Sequence, residues 1–187
     1  MDNVKLLKPS IEMLDSYKAA LRQGWSPNTT RPEAANEELE SISQHPNDFI
    51  ASLTDLDAKG ALIKMPDGSF SKRIPGFKRW IWDGEFCGVI DFRWQHGTEE
   101  LPPTVLGHVG YSVVPWKRDK GYASAALSQL LEQLDFTKLS YITITTDPDN
   151  RASQRVAEKC GAVLYETFQK PPEFGGKKAY RYRINLF

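Results

Sequence analysis

The sequence predicts a mixed α/β domain built around one sheet, and three observations carry that prediction. Apolar residues recur at helical spacing up to about Leu56. From Arg79 the period changes to two, with Phe86, Gly88, Ile90, Phe92 and Trp94 alternating against Cys87, Val89, Asp91 and Arg93. From Val105 onward, strand-like and helix-like segments take turns, the pattern of a strand-helix-strand unit that crosses over right-handed when its strands are parallel neighbours.

The elements follow in order. Val4 to Lys8 reads as a short strand, and Ile11, Leu14, Lys18 and Leu21 as a helix stopped by Gly24. A helical hairpin is expected next, with Ala35, Leu39 and Ile42 on one face, a break at His45-Pro46, then Phe49, Leu53 and Leu56. Ala58 to Gly76 holds three Gly and two Pro with little periodicity and reads as a loop or extended excursion. Arg79 to Trp82, the turn Asp83-Gly84 and the alternating stretch after it make a hairpin. Val105 to Val114 is the next strand, ended by Pro115, which cannot donate to a ladder. Ala123, Leu127, Leu130, Leu131 and Leu134 then share a helical face, and Tyr141 to Thr146 is a β-branched strand. Asn150 to Cys160 places Ala152, Val156 and Cys160 at i, i+4 and i+8, with Gly161 at the C-terminal cap. Ala162 to Phe168, and Tyr180 to Leu186 with its alternating tyrosines and arginines, are the closing strands.

The chain has 187 residues, with 24 Lys+Arg against 24 Asp+Glu, so its formal charge is zero. That balance excludes nucleic-acid binding by bulk positive charge, and any anionic ligand has to be held locally. A single domain over 1–187 is expected, long enough to bury a core without a metal or a disulfide. Cys87 and Cys160 show no metal-ligand spacing and read as small buried hydrophobes, so no metal is expected. The stretch Met1 to Ser10 has no signal-peptide pattern, and no window is apolar enough to span a bilayer. A cytoplasmic protein, bound neither to membrane nor to nucleic acid, is the expectation.

The chemistry concentrates at Tyr111-Ser-Val-Val-Pro-Trp-Lys-Arg-Asp-Lys-Gly-Tyr-Ala123. A strand stops at a proline, a short loop holds Lys117, Arg118 and Lys120, and a helix starts near Gly121. The first N–H groups of such a helix have no intrahelical partner, and the positive end of its dipole lies behind them. Gly121 gives an anion room to approach the backbone. Neither GxxxxGK[ST] nor GxGxxG is present, so the two common nucleotide loops are excluded.

Arg118-Asp-Lys-Gly121-Tyr-Ala123 resembles the R/Q-x-x-G-x-G/A signature of the GNAT superfamily of acetyl-CoA-dependent N-acyltransferases. Tyr111-Ser112-Val113 matches the strand that precedes it. At the expected distance, Thr143 to Ser153 and Glu158-Lys159-Cys160-Gly161 match the family's strand, Asn-containing loop and Gly-terminated helix. The Asn-x-x-Ser and Glu-Lys-x-Gly details are most similar to the branch near ribosomal-protein N-acetyltransferases and an uncharacterised bacterial acetyltransferase group. The resemblance covers roughly Arg79 to Phe187 and implies one mixed, mostly antiparallel, splayed sheet flanked by helices. Acetyl-CoA would wedge between the strands Val105–Val114 and Tyr141–Thr146. The backbone of Tyr111, Ser112 and Val113 would pair with the pantetheine. The N–H groups of Arg118, Asp119, Lys120, Gly121, Tyr122 and Ala123 would hold the pyrophosphate.

Direct acetyl transfer from a thioester requires an amine to lose a proton, an oxyanion to be stabilised and a thiolate to be protonated. A lysine-like amine at about 10.4 is free in only about one molecule in 2,500 at pH 7, an α-amine near 7.8 in about one in seven. A strong base is therefore needed chiefly for the former. Where many members of the family carry a thiolate-protonating tyrosine, this chain has Ala157. The resemblance then assigns Ser153 as the donor to the thiolate and Asn150 as a pantetheine contact. His108, with an unperturbed pKa near 6.5, is the candidate base, although packing within the sheet is an equal reading of it. Asp91 and Arg93 either line the acceptor cleft or form a solvated strand face, the second being slightly preferred. The five Trp are assigned to the core.

The expected activity is acetylation of a primary amine, either a small molecule or a peptide N-terminus or lysine. The alternatives are a non-catalytic acyl-CoA-binding module, suggested by Ala157, and a nucleotide-binding protein. The acceptor pocket is expected from the Trp25–Leu56 region and Lys170–Lys178. The exposed-looking C-terminal strand would suit a homodimer.

Overall fold

The computed structural model describes residues 4–186. Met1 to Asn3, part of the N-terminal reading, and Phe187, the last residue of the resemblance, lie outside the described residues. The order is β1 (Lys5–Leu7), α1 (Leu14–Arg22), α2 (Ala34–Gln44), α3 (Pro46–Ser52), β2 (Thr54–Asp55), β3 (Ile63–Lys64), β4 (Phe70–Ser71), β5 (Gly76–Trp82) and β6 (Phe86–Arg93). Then come β7 (Val109–Val113), α4 (Tyr122–Leu131), β8 (Tyr141–Thr146), α5 (Arg151–Lys159), β9 (Val163–Gln169) and β10 (Lys178–Asn185).

One eight-stranded sheet runs β1-β5-β6-β7-β8-β10-β9, with β2 added beside β5. Every pairing in it is antiparallel except β7 with β8, so the sheet is mixed and mostly antiparallel as expected. Both faces are covered. Leu127 and Leu130 of α4 and Ala157 of α5 pack with Ile81, Ile90, Phe92, Ile142 and Ile144 on one face. Tyr17 and Leu21 of α1, Ile42 of α2 and Phe49 of α3 pack with Trp80, Phe86 and Val89 on the other. Because β6 lies under helices on both sides, Phe86 through Ile90 are all buried; a register shift opposite Ile81 and Trp82 breaks the alternation, so Phe86 and Val89 enter one core and Cys87, Ile90 and Phe92 the other.

Five expectations needed correction. The strand read as Val105–Val114 begins only at Val109, because the preceding carbonyls serve side chains: Thr145 Oγ1–H donates to Leu106 O at 2.5 Å, and Arg93 Nε–H to Gly107 O at 2.8 Å. The excursion Ala58–Gly76 contains the two-stranded hairpin β3–β4. Leu56 is exposed outside α3, which stops at Ser52 so that Thr54 and Asp55 can pair with β5. Leu134 is buried but lies past the end of α4. The buried face of α5 is Gln154 and Ala157; Ala152 is exposed, because the Asn150 cap sets the helix phase. Cys87 is buried and Cys160 half-buried, both as free thiols.

Candidate active site

The site begins where β7 and β8 part. They share one parallel pair, Val109 with Ile144, and a bond from His108 N–H to Thr143 O at 2.8 Å just before it. Beyond Val109, β7 stays in register with β6 as far as Val113 opposite Gly88, while β8 continues beside β10. The outward backbone edge of Gly110 to Val113 therefore faces an opening. Around that opening lies a groove of about 740 Å³, lined by Gly110, Tyr111 and Ser112 of β7, Thr145 and Thr146 of β8, and Asn150 and Ser153 of α5. Its far end is lined by Arg31, Glu37 and Glu38, by Lys64 and Met65 of the β3–β4 hairpin, and by Lys170 and Phe174.

Side chains bridge the opening on both faces of the sheet. Tyr111 O–H donates to Ser153 O at 2.9 Å, tying β7 to the first turn of α5. Burial raises that phenol above its ordinary pKa, so it stays protonated as a donor. Opposite, Trp25 Nε1–H donates to Ser112 Oγ at 3.0 Å. Asn150 caps α5, its Oδ1 accepting from Ser153 N–H at 3.0 Å, which leaves its amide NH2 to donate into the groove. The Ser153 hydroxyl lies beside the Tyr111 phenol, within reach of a side-chain hydrogen bond to it. Thr146 Oγ1 is buried and unpartnered among them, although Thr146 lines the groove. A buried hydroxyl left unpaired costs about 1–3 kcal/mol, so this atom marks a place where a polar ligand atom fits.

Past Pro115 the chain makes the turn that leads into α4. Gly121 is the N-terminal cap at φ +80, and no side chain caps the helix. From Asp119 through Ser124 no backbone N–H finds an acceptor among the described residues, the first intrahelical bond being Ala125 N–H to Gly121 O at 3.0 Å. This run of free donors at a positive dipole end fits a pyrophosphate. Of the three cations there, Arg118 and Lys120 are exposed, whereas Lys117 is held by Asp83 and Glu85 and is half-buried.

The residues read from the sequence thus fall into three sets. Tyr111, Ser112, Asn150 and Ser153 meet in the groove; Val113 and Arg118, Asp119, Lys120, Gly121, Tyr122 and Ala123 continue past its end along the same strand, turn and helix. His108 is not brought to either place. It is 1% exposed, stacks near Phe92 and accepts from Thr143 N–H through Nδ1 at 3.0 Å. Burial, helped by the Arg93 charge, pushes its pKa down to about 4, so at neutral pH it is an uncharged sheet residue. Asp91 and Arg93, by contrast, line the groove and are not a solvated strand face. They pair at 2.5 Å and lie over Gly110, where a Cβ would come within 2.8 Å of Asp91 Oδ1. Sequence reasoning missed Thr146, Trp25 and Asp83. The first two carry no local signal, and Asp83 was legible only as a turn residue.

A family model for the acetyltransferase (GNAT) domain matches residues 14–163. Among solved structures, the microcin C7 self-immunity acetyltransferase MccE, in complex with acetyl-CoA and AMP, is similar at 16% identity and a TM-score of 0.65, over 99% of this chain and 93% of that one. A putative ribosomal-protein-serine acetyltransferase from Vibrio cholerae is similar at 14% identity and 0.60, over 99% and 95%. A variant of the spermidine N-acetyltransferase SpeG from Vibrio cholerae is similar at 13% and 0.61, over 100% and 95%. Likeness at these identities is one of fold. No curated protein matches the sequence.

Proposed function

The chain belongs to the GNAT acetyltransferase family, and from that membership we propose that its 187 residues act as one domain that moves an acetyl group from acetyl-CoA to a primary amine. The observation that carries this reading is the parting of β7 from β8 directly before a helix start whose N–H groups are unspent. Acetyl-CoA supplies the activated acetyl thioester. The free N–H groups of Asp119 to Ala123, with the exposed Arg118 and Lys120, would hold its pyrophosphate. The open edge at Tyr111 would pair with the pantetheine amides as an added strand does, with Val113 joining it once its carbonyl exchanges Arg118 Nε–H for the ligand, and Asn150 and Thr146 would offer polar contacts beside it. Ser153 Oγ–H, beside the Tyr111 phenol on the first turn of α5, would protonate the departing thiolate.

On the other face of the sheet, Asp91 replaces His108 as the group that takes the amine proton. It lines the groove, paired with Arg93. The structure gives little support to the non-catalytic alternative, since Ala157 is fully buried in the core under α5 and does not line the groove. The acceptor would enter between α2, the β3–β4 hairpin and Phe174. Two free cysteines agree with a reduced compartment such as the cytoplasm, and no helix among the described residues is long and apolar enough to cross a membrane. The C-terminal strand β10 is covered on both sides by β8 and β9 and offers no free edge; the edge is that of β9, where exposed Val163, Leu164 and Tyr165 would suit pairing of two copies.

The test is release of free thiol from acetyl-CoA across a panel of amines, polyamines, aminoglycosides and N-terminal peptides. At least one class should raise release well above background. Tight acetyl-CoA binding by calorimetry with no amine-dependent release would refute catalysis.

A further inference from the structure

We propose that Asp83 is a positioning residue for coenzyme A, holding both ends of the pyrophosphate turn from a hairpin elsewhere in the sheet. Asp83 lies in the connection between β5 and β6. Lys117 Nζ donates to its Oδ1 at 2.8 Å and its Oδ2 at 2.6 Å, and lies 2.7 Å from Glu85 Oε1. Tyr122 O–H donates to Asp83 Oδ2 at 2.5 Å. Lys117 is the residue before the turn and Tyr122 the residue after it, so one carboxylate closes over the segment Arg118–Gly121.

That segment needs holding. Asp119 at φ +59 and Gly121 at φ +80 both sit in the left-handed region, which an aspartate adopts only at a cost. The N–H groups that could have stabilised the turn from within are the ones left free for a ligand. Its conformation is therefore held by side chains: those of its flanks on Asp83, together with Arg118 Nε–H on Val113 O and Lys120 Nζ on Trp116 O. The same contacts settle the charge. A carboxylate close to a bound pyrophosphate would repel it, but Lys117 neutralises Asp83 and is itself occupied, leaving Arg118 and Lys120, which donate only to the carbonyls of Val113 and Trp116 among the described residues, as the exposed cations of the turn. Burial alone would raise the Asp83 carboxyl; the Lys117 and Tyr122 hydrogen bonds outweigh it and keep the group ionised far below neutral pH.

The inference rests on the reading that coenzyme A docks at this turn, and one experiment separates the two. Coenzyme A is titrated calorimetrically into wild type, Gly121→Glu, Asp83→Ala, Asp83→Asn and Tyr122→Phe, with steady-state kinetics on the best amine from the panel. Asp83→Ala should raise the Kd for coenzyme A and the KM for acetyl-CoA by about tenfold or more, with the KM for the amine within about twofold. Asp83→Asn should fall between. Tyr122→Phe should weaken binding alone but add nothing in the Asp83→Ala background, where its hydroxyl has already lost its partner. A merely structural role would lower the unfolding midpoint and the active fraction while leaving Kd and both KM values unchanged, and that result overturns the inference. Wild-type affinity in Asp83→Ala with loss of binding in Gly121→Glu overturns it while sparing the docking reading. Normal binding in Gly121→Glu overturns both. Should Asp83→Ala fail to fold, unchanged Kd in Asp83→Asn and Tyr122→Phe overturns it instead.

Discussion

Two residues given catalytic roles from sequence, Ser153 and His108, part company in three dimensions. Ser153 sits on the first turn of α5 and lines the groove, its hydroxyl beside the Tyr111 phenol. Replacing it with alanine should lower kcat by about tenfold or more while the Kd for coenzyme A stays within about twofold, because the group is needed when the thiolate leaves. Equal loss in both would make Ser153 a binding residue only. His108 is read instead through stability. Its folded pKa, about 4, lies below the ordinary 6.5, so the unfolded chain binds the proton more readily between those values. The stabilisation is complete above pH 6.5 and is lost as pH falls to 4, about 3 kcal/mol in all. A His108→Gln variant should lack that component in urea titrations at pH 4.5 and 7.5. Its kcat/KM profile should keep the wild-type shape, and loss of the ascending limb on the acid side would restore His108 as the base.

At the scale of elements, β7 is the decisive piece. Val109 joins it to β8, and the next four residues turn a free edge to the groove; Pro115 and Gly121 then end the strand and start the helix that completes the site. The proline, the glycine and the cation-bearing loop were all legible, since each acts through its own backbone or charge. Where β7 starts was not, because it depends on Thr145 and Arg93 capturing carbonyls from other strands. Gly110 shows the same dependence. A valine there would push its Cβ against Asp91 Oδ1 and, at 3.1 Å, Arg93 Nη2. Gly110→Val should push these two side-chain ends aside at little cost in stability. It should also raise the KM for the amine more than that for acetyl-CoA; equal rises would place Asp91 and Arg93 outside the acceptor site.

For the molecule as a whole, the two helical layers hold the sheet rigid while its centre opens, so a ligand that fills the opening stabilises the folded state. Acetyl-CoA at 100 times its Kd should add about 2.7 kcal/mol, and for a chain of this size that is a rise in Tm of roughly 5–10 °C. ATP at the same concentration should give a clearly smaller rise, and an equal or larger one would favour a nucleotide-binding protein. The sequence by itself determined the mixed fold, the helix start at Gly121 and the family, because period, glycine and proline constraints and helix dipoles are local properties. It also determined that the neutral chain must hold an anion locally. Only the tertiary structure decided which charges do so. Of the three cations at that helix start, Lys117 is taken by Asp83 while Arg118 and Lys120 stay exposed; elsewhere, His108 is turned into the sheet and Asp91 is brought to the groove. Each outcome is fixed by a partner more than ten residues away, and electrostatics acts on distance in space, which the order of residues does not contain.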